Sequence, residues 1–274
     1  MSNKKLSIII VNYNSKKHLL LCLASINRFL CPNKSLRKNF EVIIVNNETN
    51  PLTLKKIYPF INKKIIEVGR NVGFGTAANL GTIMAQGEYL LFINPDTVFL
   101  DDSLQKALEY LDNHPKVGAL GLSIINKQRR APENWSCGKK TTWGSILFRN
   151  TINKPWNKKT PQEVDWSSGS GLLIRKTIFR KTKGFDKRFF MYFEDQDLCL
   201  RIKKEGYKII HFPQARLLHF NGQSWSDKQE QKKHYHQSQI YFFKKHNTKL
   251  GYYFLKLATK LNFLIKKLIY SITR

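Results

Sequence analysis

Acidic residues are scarce in this chain. Only 19 Asp and Glu stand against 47 Lys and Arg over 274 residues, a formal net charge of +28. An excess of that size suits anionic partners, and it makes any local crowding of carboxylates informative. Cysteine is sparse too: Cys22, Cys31, Cys137 and Cys199 are scattered, with no C-x-x-C pair and no metal-ligand spacing. That pattern argues against a zinc ribbon or disulfide framework and predicts small buried residues in a reducing compartment. Long apolar runs are also missing. No uninterrupted stretch reaches the roughly 18 residues of a spanning helix, and the N-terminal apolar run breaks at Asn12, too short for a signal-peptide core. A cytoplasmic location is expected. There is no internal repeat, no low-complexity tract and no G-K-[ST] phosphate loop. Helix-turn-helix, zinc-finger and RRM signatures are absent, so no nucleic-acid partner is expected. A nucleic-acid-binding protein remains the alternative from another class, supported by the net charge and by a basic, aromatic-rich loop.

What is present suffices for a globular core, with 42% hydrophobic and 12% aromatic residues. Strand-like and helix-like segments alternate through the first half. "LSIIIVN" (6–12) and "FEVIIVN" (40–46) are continuous apolar runs suited to buried parallel strands. The segment between them reads as a helix with Ser15 at its N-cap. A short strand at 63–69, a glycine-led helix at 73–86, a strand at 87–96, a helix at 101–115 and a strand "VGALGLSII" follow. This alternation predicts an α/β fold with a mostly parallel central sheet. Ligands of such sheets bind beyond the carboxyl ends of the strands, where Asn12-Tyr13-Asn14, Asn46-Asn47 and Asn94-Pro95-Asp96 fall. Residues 126–162 are irregular and basic and carry three tryptophans. Order resumes at "EVDWSSGSGLLIRK", followed by an acid-led helix and the strands "YKIIHF" and "ARLLHF". The expected organisation is a main domain over 1–230, divided by the loop (126–162) into halves at 1–125 and 163–230, and a tail over 231–274.

Two places gather the scarce acid. Asp96, in a turn bent by Pro95 at a strand end, offers carboxylate oxygen suited to Mg²⁺ or Mn²⁺, and Asn94 adds a neutral carbonyl oxygen. Glu194, Asp195 and Asp197 open a helix, where its dipole and free N–H groups favour acids. The aromatic run "GFDKRFFMYF" just before them predicts a partly apolar pocket. A carboxylate there has a raised pKa and becomes a better proton acceptor near neutral pH. His219 follows a strand and precedes a polar turn. In the glycine-rich "RNVGFGTAANLG" (70–81), backbone and Arg70 are placed to approach a phosphate.

The end of the chain is basic, with ten Lys and Arg and no acid from Gln231 onward. Lys249, Lys256, Lys260 and Lys267 fall on one helical stripe, opposite Phe254, Ala258, Leu261, Ile265, Leu268 and Ile272. An amphipathic helix of this kind lies in a membrane interface or packs its apolar face on protein.

The order of these segments resembles the inverting glycosyltransferases of family two, in particular the bacterial rhamnosyltransferase-like branch. The resemblance rests on "IIIVNYNS", "EVIIVNN", "NVGFGTAANLG", "GEYLLFINPDTVF", "VDWSSGSGLLIRK", "GFDKRFFMYFEDQDLCLRIKKEGY" and "ARLLHFNGQS", covering about residues 6–226. It implies one Rossmann-like nucleotide-diphospho-sugar domain with an acceptor region appended, and the basic amphipathic tail suggests that the saccharide acceptor is lipid-linked, at the inner face of a bacterial membrane. The donor would be linked to dTDP or UDP and the cofactor would be Mn²⁺ or Mg²⁺. It places Asn12, Tyr13, Asn14, Asn46, Asn47, Arg70, Asn71, Gly73, Phe74, Asn79 and Asn94 around the donor. Asp96, Asn94 and His219 would be at the metal, and Trp166, Ser168 and Gly169 beside the acceptor. Asp195 would be the general base, with Glu194 as its neighbour. Where the family commonly reads V-D-N-x-S-x-D, this chain reads Val45-Asn46-Asn47-Glu48-Thr49-Asn50. Asn46 would then accept a base N–H without a charge, and a catalytically degenerate assembly factor is a second alternative.

Overall fold

The computed structural model describes residues 5–32, 39–54, 62–126, 133, 135–142, 159–220, 228–246, 251–253 and 257. Its elements in chain order are β1 (Leu6–Asn12), α1 (Lys16–Phe29), β2 (Phe40–Asn46), β3 (Lys63–Glu67), α2 (Phe74–Met84), β4 (Tyr89–Ile93), β5 (Thr97–Phe99), α3 (Leu104–Asn113) and β6 (Val117–Asn126). There follow β7 (Cys137–Gly138), β8 (Gln162–Val164), β9 (Trp166–Ser167), β10 (Gly171–Arg175), α4 (Lys176–Lys181), α5 (Glu194–Lys204), β11 (Lys208–His219) and α6 (Lys228–His246).

The expected α/β fold is present. Nine strands form one sheet in the order β3-β2-β1-β4-β10-β6-β11-β5, with β8 also on β11. The four strands on the β3 side are mutually parallel, so Asn12 and Asn46 sit side by side in register at one end. β10 then runs antiparallel between β4 and β6, and β11 returns parallel to β6. Alternate side chains divide between two cores because successive residues of a strand face opposite ways. Ile8, Ile10, Val42, Ile44, Leu91 and Ile93 meet α1 and α3. Ile9, Val11, Ile43, Val45, Leu90 and Phe92 meet α2 and α5. Burial on both faces is why these strands read as unbroken apolar runs.

Some details depart from the sequence expectation. "YKIIHF" and "ARLLHF" form one strand, β11, whose register shifts between Phe212 and Arg216. Pro213 lies inside that shift, where a bulge absorbs its missing N–H. Short β5 and α4 carry no periodic signal. Part of the segment expected to be irregular pairs as β7 with β9. The boundary expected at 230 falls inside α6, which packs its Phe242 and Phe243 against Phe189 and Phe193. The four cysteines are buried and unpaired by disulfides, as expected. The amphipathic stripe of the tail and most of the 126–162 loop lie outside the described residues. No helix among the described residues is long and apolar enough to cross a membrane.

Candidate active site

Asp96 lies in the turn just past the carboxyl end of β4, which is parallel to β1 and so ends on the same side of the sheet as β1 and β2. Asp96 is 3% exposed, and its Oδ1 lies 3.3 Å from Nε2 of His219, which β11 brings alongside. No hydrogen bond reaches that buried oxygen, which costs free energy unless something else satisfies it. Two ligands at adjacent positions of an octahedral cation with bonds near 2.1 Å stand about 3 Å apart, so this pair fits a divalent metal. Among the described residues no cluster of three or more His, Cys, Asp or Glu surrounds it. That sparse protein shell suits a cation that takes its remaining ligands from phosphate and water. Asn94 donates its amide nitrogen to Ser170 Oγ at 2.9 Å. Trp135, 37% exposed, sets its indole edge-to-face on the His219 ring at 5.2 Å.

The acids of α5 stand on the other side of the same turn. Asp195 accepts the Gly169 amide through Oδ2 at 3.1 Å and the Gln196 amide through Oδ1 at 2.7 Å. Ser168, one residue before Gly169, donates its amide to the Ser136 carbonyl beside Trp135. The Ser168–Ser170 turn therefore touches Asn94, the Trp135 segment and Asp195 at once. Burial pushes Asp195 up to about 6, against the lowering pull of the Gly169 and Gln196 amides. Glu194, 5% exposed, is raised well above the ordinary carboxylate range, first by burial and then by the charges of Asp195 and Asp197. Burial thus raises both adjacent carboxyls, and Asp195, brought to about 6, is placed to take up a proton near neutral pH.

Asp197 is different again. Burial opposes its ionisation, but His246, Arg201 and Lys245 outweigh it and hold the pKa below the usual value. Trp166 bonds the Lys139 carbonyl through its indole N–H at 2.9 Å and is half-buried over Gly138.

On the β1–β2 side several expected contact residues are committed inside the protein. Asn12, Asn46 and Asn47 are 0%, 1% and 2% exposed. Asn46 Oδ1 already accepts Asn12 Nδ2 at 2.9 Å, so it has no face to turn to a base. Asn47 and Asn71 hold the loop before α2, with Asn47 Oδ1 accepting the Val72 amide and Asn71 Oδ1 the Gly73 amide. The Phe74 amide goes to the Phe190 carbonyl at 3.0 Å. The expected phosphate approach by the backbone at 72–74 is corrected, because all three amides have protein acceptors. Gly73 serves another end: at φ +83, a Cβ there would stand 2.2 Å from the Phe190 oxygen. Asn79 ties both backbone groups of Phe185 at 2.8 and 3.0 Å, a structural bond and not a ligand contact. Arg70 and Asn14 are exposed, and Tyr13 is half-buried. Asn14 takes a left-handed backbone at φ 49.

Glu48 and Glu67 were missed. Glu48 Oε1 accepts Asn12 Nδ2 at 2.8 Å and the Asn14 amide at 2.7 Å. Glu67 Oε2 accepts Asn46 Nδ2 at 2.7 Å, and that nitrogen also serves the Asn50 carbonyl at 2.8 Å. The usable signal was the rarity of acid, since Glu48 lies only two places past a strand end. The Asn46→Asp variant would turn an acceptor toward both Glu67 and the Asn50 carbonyl. It is expected to destabilise the protein by about 2 kcal/mol in urea unfolding, and an unchanged midpoint would refute this account of the knot.

A buried Asp–His pair next to Asn94, which is tied through the Ser168–Ser170 turn to a carboxyl raised to about 6, suits a group-transfer enzyme. Comparison with known proteins makes the class specific. Residues 7–194 match the model of Glycosyl transferase family 2, and the chain belongs to that family of inverting glycosyltransferases. It is 30% identical over 249 residues to the N-acetylglucosaminyl-diphospho-decaprenol L-rhamnosyltransferase of Mycobacterium tuberculosis, covering 80% of this chain and 77% of that one. To rhamnosyltransferase WbbL of Escherichia coli it is 27% identical over 229 residues, covering 78% and 82%. Among solved structures, GalNAc-T7 with UDP, GalNAc and Mn²⁺ aligns with a TM-score of 0.63 at 16% identity, covering 88% of this chain and 50% of that one. The mannosyltransferase PcManGT of Pyrobaculum calidifontis, with GDP-Man and Mn²⁺, gives 0.54 at 16% identity, covering 80% and 57%. This chain thus spans little more than half the length of those solved chains, and their likeness is one of fold.

Proposed function

We propose that this glycosyltransferase moves a hexosyl residue, rhamnose in the first instance, from a dTDP- or UDP-linked donor to a lipid-linked saccharide. The product belongs to a bacterial surface polysaccharide or lipopolysaccharide. The observation that carries this reading is Asp195, fixed by the Gly169 amide on the turn that also binds Asn94. The named relatives supply the sugar and the acceptor class.

Asp96 and His219, with Asn94 beside them, would hold Mg²⁺ or Mn²⁺. The cation supplies positive charge against the leaving nucleoside diphosphate. Asp195, ionised above about pH 6, accepts the proton of the acceptor hydroxyl as that oxygen attacks the anomeric carbon. The new glycosidic bond forms as the bond from the anomeric carbon to diphosphate oxygen breaks on the opposite face, which inverts the centre. Ser168, Gly169 and the half-buried Trp166 border the acceptor. Tyr13, Asn14 and Arg70 border the donor nucleotide, with Glu48 taking the base contact in place of the buried Asn46. The basic tail would hold the protein peripherally at the inner face of the membrane, each Lys or Arg contributing about 1 kcal/mol beside anionic lipid.

Calorimetric titration with UDP, dTDP and GDP, with and without Mn²⁺, tests the donor side. Metal-dependent binding of one pyrimidine nucleotide, tighter than GDP by about tenfold or more, is the expected result. Binding of none by the folded protein would sink the reading.

A further inference from the structure

The family match ends at Glu194, yet the helix that follows β11 packs on the turn that carries the acids. The turn needs them. Tyr192 and Phe193 stand consecutively in left-handed backbone, at φ 70 and φ 67, immediately before Glu194 and Asp195. For residues with a Cβ that conformation costs on the order of 1–2 kcal/mol each, and it persists only where surrounding contacts impose it. One side is supplied by α2, whose Phe74 amide bonds the Phe190 carbonyl.

The other side is α6. Its Ser238 hydroxyl donates to the Met191 carbonyl at 2.7 Å, and Gln231 Nε2 donates to the Tyr192 hydroxyl at 2.6 Å. Phe242 lies 5.2 Å from the Phe193 ring, and Tyr235 lies 5.3 Å from Phe193 and 5.4 Å from Tyr192. His234 stacks on Phe190 at 4.3 Å. At its end, Lys245 Nζ and His246 Nε2 reach Asp197 Oδ1 at 2.5 and 2.6 Å. Asp197 Oδ2 is taken by Arg201 of its own helix. Lys245 also bonds Asp186, which holds Arg188 and Tyr241 as well. These contacts converge on the residues from Phe190 to Phe193, immediately before the acids, and on Asp197, two positions beyond Asp195.

We propose that α6 is a positioning element of the catalytic site: through Lys245 and His246 on Asp197, and Ser238 on Met191, it holds the strained turn that presents Asp195. The inference rests on the role of Asp195 proposed above. Asp197 is then the link between helix and base, and α6 belongs with the catalytic unit although it lies outside the family match. Charge runs through the same link. The groups facing Asp197 are Lys245, His246 and Tyr241 from α6, Arg201, Cys199 and Glu194 from α5, and Arg188 from the preceding loop. Removing the two α6 cations leaves Asp197 less compensated. Its field raises Glu194 and makes the neighbouring Asp195 harder to ionise.

The test uses the full chain, with Lys245→Met/His246→Leu as one variant and the milder His246→Gln as a second. Hydrogen exchange of peptides spanning 186–197 is read beside peptides of β1 and β4. In the double variant, exchange over 190–197 should rise at least tenfold while β1 and β4 keep their protection, with a smaller rise in His246→Gln. Transfer from dTDP-rhamnose to farnesyl-diphospho-N-acetylglucosamine should lose at least tenfold in kcat. Its acid limb should move up by about half a pH unit, with dTDP affinity within twofold of the parent. Unchanged exchange over 190–197 in both variants overturns the proposal. So does an equal loss of protection across the sheet in both, which would make α6 a general stabiliser. Absence of transfer by the parent would instead overturn the donor and acceptor reading, and the exchange experiment would still decide the role of α6.

Discussion

Asp195→Asn is expected to lower the transfer rate by about 10²–10⁴-fold, the usual contribution of a positioned general base. The substitution is nearly isosteric. Asparagine keeps an oxygen for the Gly169 amide and loses only the bond from the neighbouring Gln196 amide, so the tie to the turn should hold and nucleotide affinity should stay near that of the parent. The pH profile supplies a second reading. In the parent, Asp195 must be ionised to work, so activity should fall as pH drops through about 6, the level to which burial lifts this group. In the variant that acid limb should vanish from whatever activity remains. A variant with the parent's rate and profile would remove Asp195 from the mechanism.

Asp96→Ala should weaken Mn²⁺-dependent nucleotide binding by at least about 100-fold, since even outer-shell partners of a metal cost 10–100-fold when removed. Stability should respond the other way. The Asp96 Oδ1 atom is buried with no hydrogen bond, so deleting it removes a desolvated acceptor without orphaning a donor to it. Thermal unfolding without metal should therefore occur at an unchanged or higher temperature. Loss of stability with metal-dependent binding intact would make Asp96 a structural turn residue. The two measurements together separate a ligand kept for function from one kept for the fold.

The fold was largely legible because strands buried on both faces leave continuous apolar runs, and the helices between them repeat at helical spacing. β10 was harder to place: nothing in "GLLIR" says that it runs antiparallel between β4 and β6. The acids were legible for a different reason, that carboxylates are rare here and fell together at element ends. Burial of amide side chains was not legible. Asn12, Asn46 and Asn47 look like mouth residues in sequence, but they are buried and, Asn12 Oδ1 apart, their amide groups are bonded to protein neighbours. The partnership of α6 with Asp197 spans 49 residues, and no local pattern announces an ion pair at that range.

The knot at the end of β2 also bears on how this chain can diverge. Asn46 is not an independent stand-in for the acid its family commonly carries there. Its amide answers Glu67 and the Asn50 carbonyl, while Asn12 divides its own amide between Asn46 and Glu48. Positions 12, 46, 48 and 67 therefore change as a set. In related chains an aspartate at 46 should travel with loss of the acid at 67, a covariation that single-position comparison would mistake for decay of the site.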